Sequence, residues 1–152
     1  MNTFQQDNRD IVLTPAQAHA RSVLAHGLNI SSICALSGEG GSGKSVVLRH
    51  LHREIGGAFL NIADLVDVSS KRHPLSLEEA LFDVLLAALK QHATVIADDF
   101  HVLFDAFCCN PFYPRMGWME APALALCSYA IETGKKLILS SGTWTFESSA
   151  GP

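Results

Sequence analysis

The segment Gly38-Glu39-Gly40-Gly41-Ser42-Gly43-Lys44-Ser45 fits the pattern G-x-x-x-x-G-K-[ST]. Its chemistry is phosphate binding. Glycines let successive backbone N–H groups turn toward an anion with no Cβ in the way. A helix beginning near Gly43 would point the positive end of its dipole at the same anion. Lys44 would reach the β- and γ-phosphates, and the Ser45 hydroxyl would ligate Mg2+. Glu39 and Ser42 complete the loop that would hold ATP.

Further along, Val95-Ile96-Ala97-Asp98-Asp99 is an apolar strand that ends in two acids. On its own such a pair can simply cap a strand. Downstream of a phosphate loop it has a second use. Asp98 would hold Mg2+ through water, and Asp99 would orient or deprotonate an attacking water. Asp99 is one methylene shorter than the Glu that usually does this work.

These residues need a frame. Thr14-Pro15 starts a helix that the sequence ends at Gly27, with Thr14 as cap and Pro15 at the first position. Ile33 to Leu36 reads as a buried strand. A helix from Ser45 to Ile55 carries Val47, Leu48, Leu51 and Ile55 on one face and stops at Gly56-Gly57. Phe59 to Ile62 is a second strand. Ser70 to Pro74 is loop, followed by a helix from Leu75 to Gln91 with Ser76 as a possible cap. Thr94 to Ala97 is a third strand, Asn110 to Gly117 a loop, Ala121 to Thr133 a helix stopped by Gly134, and Leu137 to Leu139 a fourth strand. Short, uniformly apolar strands alternating with helices predict an α/β fold, a three-layer sandwich around a mostly parallel sheet. One domain spans 14–146, with a flexible lead-in over 1–13 and a polar tail over 147–152.

Composition bounds the function. The chain has 152 residues, 48% hydrophobic and 17% charged, which excludes a charge-driven disordered protein. A net charge of −4 argues against general capture of nucleic acid. No apolar run reaches the roughly 18 residues of a membrane span, and Met1 to Asp10 is too polar for a secretory signal. Cys34, Cys108, Cys109 and Cys127 lack the spacing of a disulfide scaffold, so reduced thiols in the cytoplasm or a reducing organelle matrix are expected.

The order and spacing of these motifs resemble the AAA+ ATPases of the P-loop NTPase class, and within them the AAA branch, over about Ser31 to Thr143. Gly38 to Ser45 stands for the Walker A motif and Asp98-Asp99 for Walker B. Phe59 to Ile62 is similar to the family's second strand and Leu81-Phe82-Asp83 to the helix before the acidic strand. Leu137-Ile138-Leu139-Ser140-Ser141-Gly142-Thr143 is similar to its fourth strand, which places Thr143 at the sensor of the γ-phosphate or lytic water, with Ser140 and Ser141 as substitutes. The resemblance implies the strand order 5-1-4-3-2, with the fifth strand and helical lid absent here. It also implies ATP hydrolysis in a homo- or hetero-oligomer that remodels a protein or complex. No Lys or Arg follows Thr143, so the arginine finger would come from elsewhere and hydrolysis by this chain alone would be weak. Ser70-Lys71-Arg72-His73-Pro74 does not fit a substrate-threading pore loop.

A second reading is a non-catalytic, nucleotide-gated interaction domain. A third is a nucleic-acid-linked P-loop ATPase or a small-molecule kinase, although a kinase would carry late lid arginines. Arg49, His50, His52 and Arg53 are expected on the exposed side of their helix. Phe112, Tyr113, Met116, Trp118 and Met119 would either cover the sheet edge or meet a partner. His101 reads as packing. The mean hydropathy of +0.20 fits a core that has lost cover, and predicts self-association.

Overall fold

The computed structural model describes residues 12–69, 77–99 and 116–142. In chain order these form α1 (Pro15–Ile30), β1 (Ile33–Ser37), α2 (Lys44–Ile55), β2 (Ala58–Leu60), α3 (Ile62–Ser69), α4 (Leu77–Gln91), β3 (Thr94–Ala97), α5 (Met116–Glu132) and β4 (Lys136–Ser141). The four strands form one sheet in the order β1-β4-β3-β2. All three pairings are parallel. The fold is α/β, as the alternation of elements predicts.

Side-chain alternation along the strands builds two cores. Val95, Ala97 and Leu137 point to one face, where they meet Leu81, Leu85 and Leu89 of α4 and Leu126 and Ala130 of α5. Ile96 and Ile138 point to the other face, against Leu24 and Leu28 of α1 and Val47, Leu48 and Leu51 of α2. Parallel strands with helices on both faces are apolar on both sides, which is why they read as continuous apolar runs. Each fully buried leucine, such as Leu48 or Leu85, contributes about 1.5–3 kcal/mol.

Several boundaries differ from the sequence reading. Helix α1 does not stop at Gly27 but runs on to Ile30. Gly27 sits inside the helix and is not one of the positive-φ glycines, so it does not end α1. Ile62 is not in β2. Asn61 Oδ1 accepts from the N–H groups of Ala63 and Asp64, and Asp64 Oδ2 accepts from the Asn61 N–H. That reciprocal cap starts α3, which periodicity alone did not predict. Helix α5 begins at Met116, inside the expected loop, and carries Pro122 within its first two turns. Strand β4 is longer at both ends than Leu137 to Leu139. Leu75 and Ser76, most of the lead-in and the whole polar tail lie outside the described residues, as do Lys71-Arg72-His73.

The helix ends are held. Thr14 Oγ1 accepts from the Gln17 N–H while Gln17 Oε1 accepts from the Thr14 N–H, a complete capping box. Gly134, at φ +67°, closes α5 through bonds from Gly134 N to Ile131 O and Lys135 N to Ala130 O. The Lys135 ammonium donates to the carbonyls of Leu89, Lys90 and His92 at the end of α4, and the Lys136 ammonium donates to Ser31 O at the end of α1. Two consecutive residues thus neutralise helix C-termini on opposite faces of the sheet.

Candidate phosphate-binding site

In a parallel sheet the C-terminal ends of all strands share one rim, where ligands of α/β proteins gather. The rim here carries the Gly-rich loop after β1, Asp98-Asp99 after β3 and Ser140-Ser141 at the end of β4. The register sets Ser37 beside Ser141 and Ala97 beside Leu139. Neighbouring strands lie about 4.8 Å apart, so β1 and β3, with β4 between them, bring their ends within about 10 Å.

The loop has the backbone that its glycines require. Gly41 and Gly43 stand at φ +79° and +86°, a left-handed region costly for residues with a Cβ. Gly43 is the N-cap of α2 and accepts from the N–H groups of Val46 and Val47. Lys44 is 9% exposed. Its ammonium donates to Gly38 O at 2.7 Å and Glu39 O at 3.0 Å, so the charge sits inside the loop on neutral acceptors. Ser45 follows, half-buried, in the first turn of α2.

Asp98 is 3% exposed and Ser140 wholly buried. The Ser140 hydroxyl donates to Asp98 Oδ1 at 2.8 Å. The Asp99 N–H donates to the same Ser140 oxygen at 2.7 Å and to Asp98 Oδ1 at 3.0 Å. Asp99 itself adopts φ +56°, the one left-handed non-glycine among the described residues. Asp is among the few side chains that tolerate this conformation. Ser140 therefore locks both acids from the neighbouring strand. Sequence reasoning placed Ser140 only as a substitute sensor. The usable signal was the pair of serines that ends the apolar run Leu137 to Leu139, just past the register partner of Ala97.

Thr143, the first choice for the sensor, lies outside the described residues. So do His101, Cys108, Cys109, Phe112 and Tyr113. Arg49 and Arg53 are exposed, as expected. His52 is not on an open face: its ring stacks at a tilt on Phe59, centroids 5.5 Å apart, and Nε2 lies 3.1 Å from Gly57 O. Burial pushes the thiols of Cys34 and Cys127 up, in Cys34 against a smaller opposing pull from Lys136. Both stay protonated near neutrality and make poor nucleophiles.

The donors fit a hard divalent cation, since a serine hydroxyl and a carboxylate both offer oxygen. Among the described residues no group of three or more His, Cys, Asp or Glu could hold a metal unaided. Ser45 and Asp98 would have to share the ion with a ligand's own oxygens. No described helix is long and apolar enough to cross a membrane. No protein-family model matches the chain, and no curated protein matches it.

Proposed function

We propose that this chain binds Mg-ATP at the loop Gly38 to Ser45 and is the nucleotide-binding core of an ATPase of AAA+ type. One observation carries the reading. Between a strand and a helix, the loop holds two left-handed glycines and draws a buried lysine ammonium onto its own carbonyls. A cation parked on neutral carbonyls can transfer to phosphate oxygens at small cost, because the anion adds a Coulomb attraction that the carbonyls lack. Ser45 and Asp98 would hold Mg2+, which supplies neutralisation of charge developing on the phosphates. Asp99 would orient or deprotonate water, and Thr143 would sense the γ-phosphate. The order β1-β4-β3-β2 is the one the AAA+ resemblance implies for these four strands, but does not by itself decide the family. In this reading turnover serves remodelling of a protein or complex within an oligomer.

The test is calorimetric titration with Mg-ATP. Lys44→Ala should weaken binding roughly a hundredfold, the value of hydrogen bonds to a charged group. Wild-type affinity in that variant would overturn the assignment of the loop.

A second reading, nucleotide binding without turnover, is favoured by Asp99. Its carboxylate is the shorter homologue of the usual base, and its backbone is tied down by Ser140 and Asp98.

A further inference from the structure

Helix α1 touches the phosphate loop through one side chain. Gln17 Nε2 donates to Ser42 O at 3.3 Å, across 25 residues of sequence. A Cβ built on Gly43 would lie 2.3 Å from the same nitrogen, so the amide rests directly on the Gly43 backbone. The other end of the amide is fixed as well, since Gln17 Oε1 accepts from the Thr14 N–H at 3.0 Å. Gln17 therefore bridges the start of α1 and the tip of the loop.

We propose that Gln17 is a positioning residue for the phosphate loop. In a planar trans peptide the C=O and N–H point in opposite directions. Holding the Ser42 carbonyl toward Gln17 commits the Gly43 N–H to the other side. A loop that wraps an anion with its N–H groups loses one donor if this peptide flips. Both glycines that make the loop pliable, Gly41 and Gly43, flank this peptide at Ser42-Gly43, so an outside restraint has something to restrain. Gly43 meets two demands: its left-handed φ and the space that Gln17 occupies. The proposal rests on the phosphate-site reading and adds a residue that the Gly-Lys-Ser pattern does not contain.

The test separates the bridge from the cap. Gln17→Met removes the amide donor without adding charge. Gln17→Glu keeps an acceptor for the Thr14 N–H but exchanges the donor for a negative charge beside the loop. Thr14→Ala weakens the cap and leaves the donor. All three are titrated with Mg-ADP beside wild type and Lys44→Ala, and melted without ligand. Gln17→Met should bind roughly three- to tenfold more weakly, the value of one neutral hydrogen bond, and Gln17→Glu at least as weakly. Thr14→Ala should melt lower yet bind as wild type does. Wild-type affinity in Gln17→Met would overturn the proposal, and so would an equal loss in Thr14→Ala. If wild type itself does not bind Mg-ADP, the phosphate site falls and the proposal with it. Loss in Lys44→Ala alone leaves the site standing and removes Gln17.

Discussion

Ser140 is where residue identity matters most beyond the Gly-rich loop. Its hydroxyl is donor to one acid and acceptor for the next residue's N–H, where the ends of β3 and β4 lie side by side. Ser140→Ala would leave Asp98 Oδ1 one donor short and the Asp99 N–H with a single acceptor. The stability cost is about 1–3 kcal/mol. Asp99→Asn keeps a side chain that tolerates φ +56° and removes only the negative charge. Under single-turnover conditions both variants should hydrolyse Mg-ATP more slowly than wild type, with Asp99→Asn retaining nucleotide affinity. An unchanged rate in Asp99→Asn would overturn the role of Asp99 in directing water. The places of the loop and the acids were legible in the sequence, because a Gly-rich turn between an apolar run and a helix, and an apolar run ending in acids, are written in residue types. The roles of Ser140 and Gln17 were not, because each acts across more than twenty residues, through contacts that only the fold creates.

At the scale of elements, strands and helix caps were the readable part. Thr14-Pro15, Gly56 and Gly134 mark ends in the structure as they do in the sequence. A glycine that stays helical misled: Gly27 reads as a stop and lies within α1. Gly57 is a glycine for two reasons at once. It stands at φ +99°, and a Cβ there would lie 2.2 Å from the Thr94 carbonyl oxygen at the start of β3. Gly56, at φ +69°, has open space around it. Gly57→Ala should therefore destabilise by about 2–4 kcal/mol through strain and overlap together. Gly56→Ala should cost about 1–3 kcal/mol from backbone strain alone, because φ +69° with ψ −160° is a region essentially confined to glycine. Paired thermal melts check the ranking, and an equal shift in the two would show that the Gly57–Thr94 approach is relieved without cost.

At the scale of the whole molecule, the candidate site is assembled from the ends of β1, β3 and β4, so a ligand there would tie the two faces of the sheet to one event. Binding only the folded state, Mg-ATP at a hundred times its dissociation constant adds about 2.7 kcal/mol. For a chain of this size that is a rise in melting temperature of roughly 5–11 °C. A thermal-shift series with Mg-ATP, and with Lys44→Ala as control, checks it; no shift at saturating nucleotide would refute binding. The four-stranded order was legible only through the resemblance, because apolar strands carry no record of their neighbours. The opposite rim of the sheet has its own consequence. Helix α1 is pinned at its far end by the Lys136 ammonium on Ser31 and touched at its near end by the loop through Gln17. Its 16 residues make a rigid rod of about 24 Å. Between those two ends Leu24 and Leu28 seat the rod on α2, so one rigid element spans from the loop at one rim to β4 at the other.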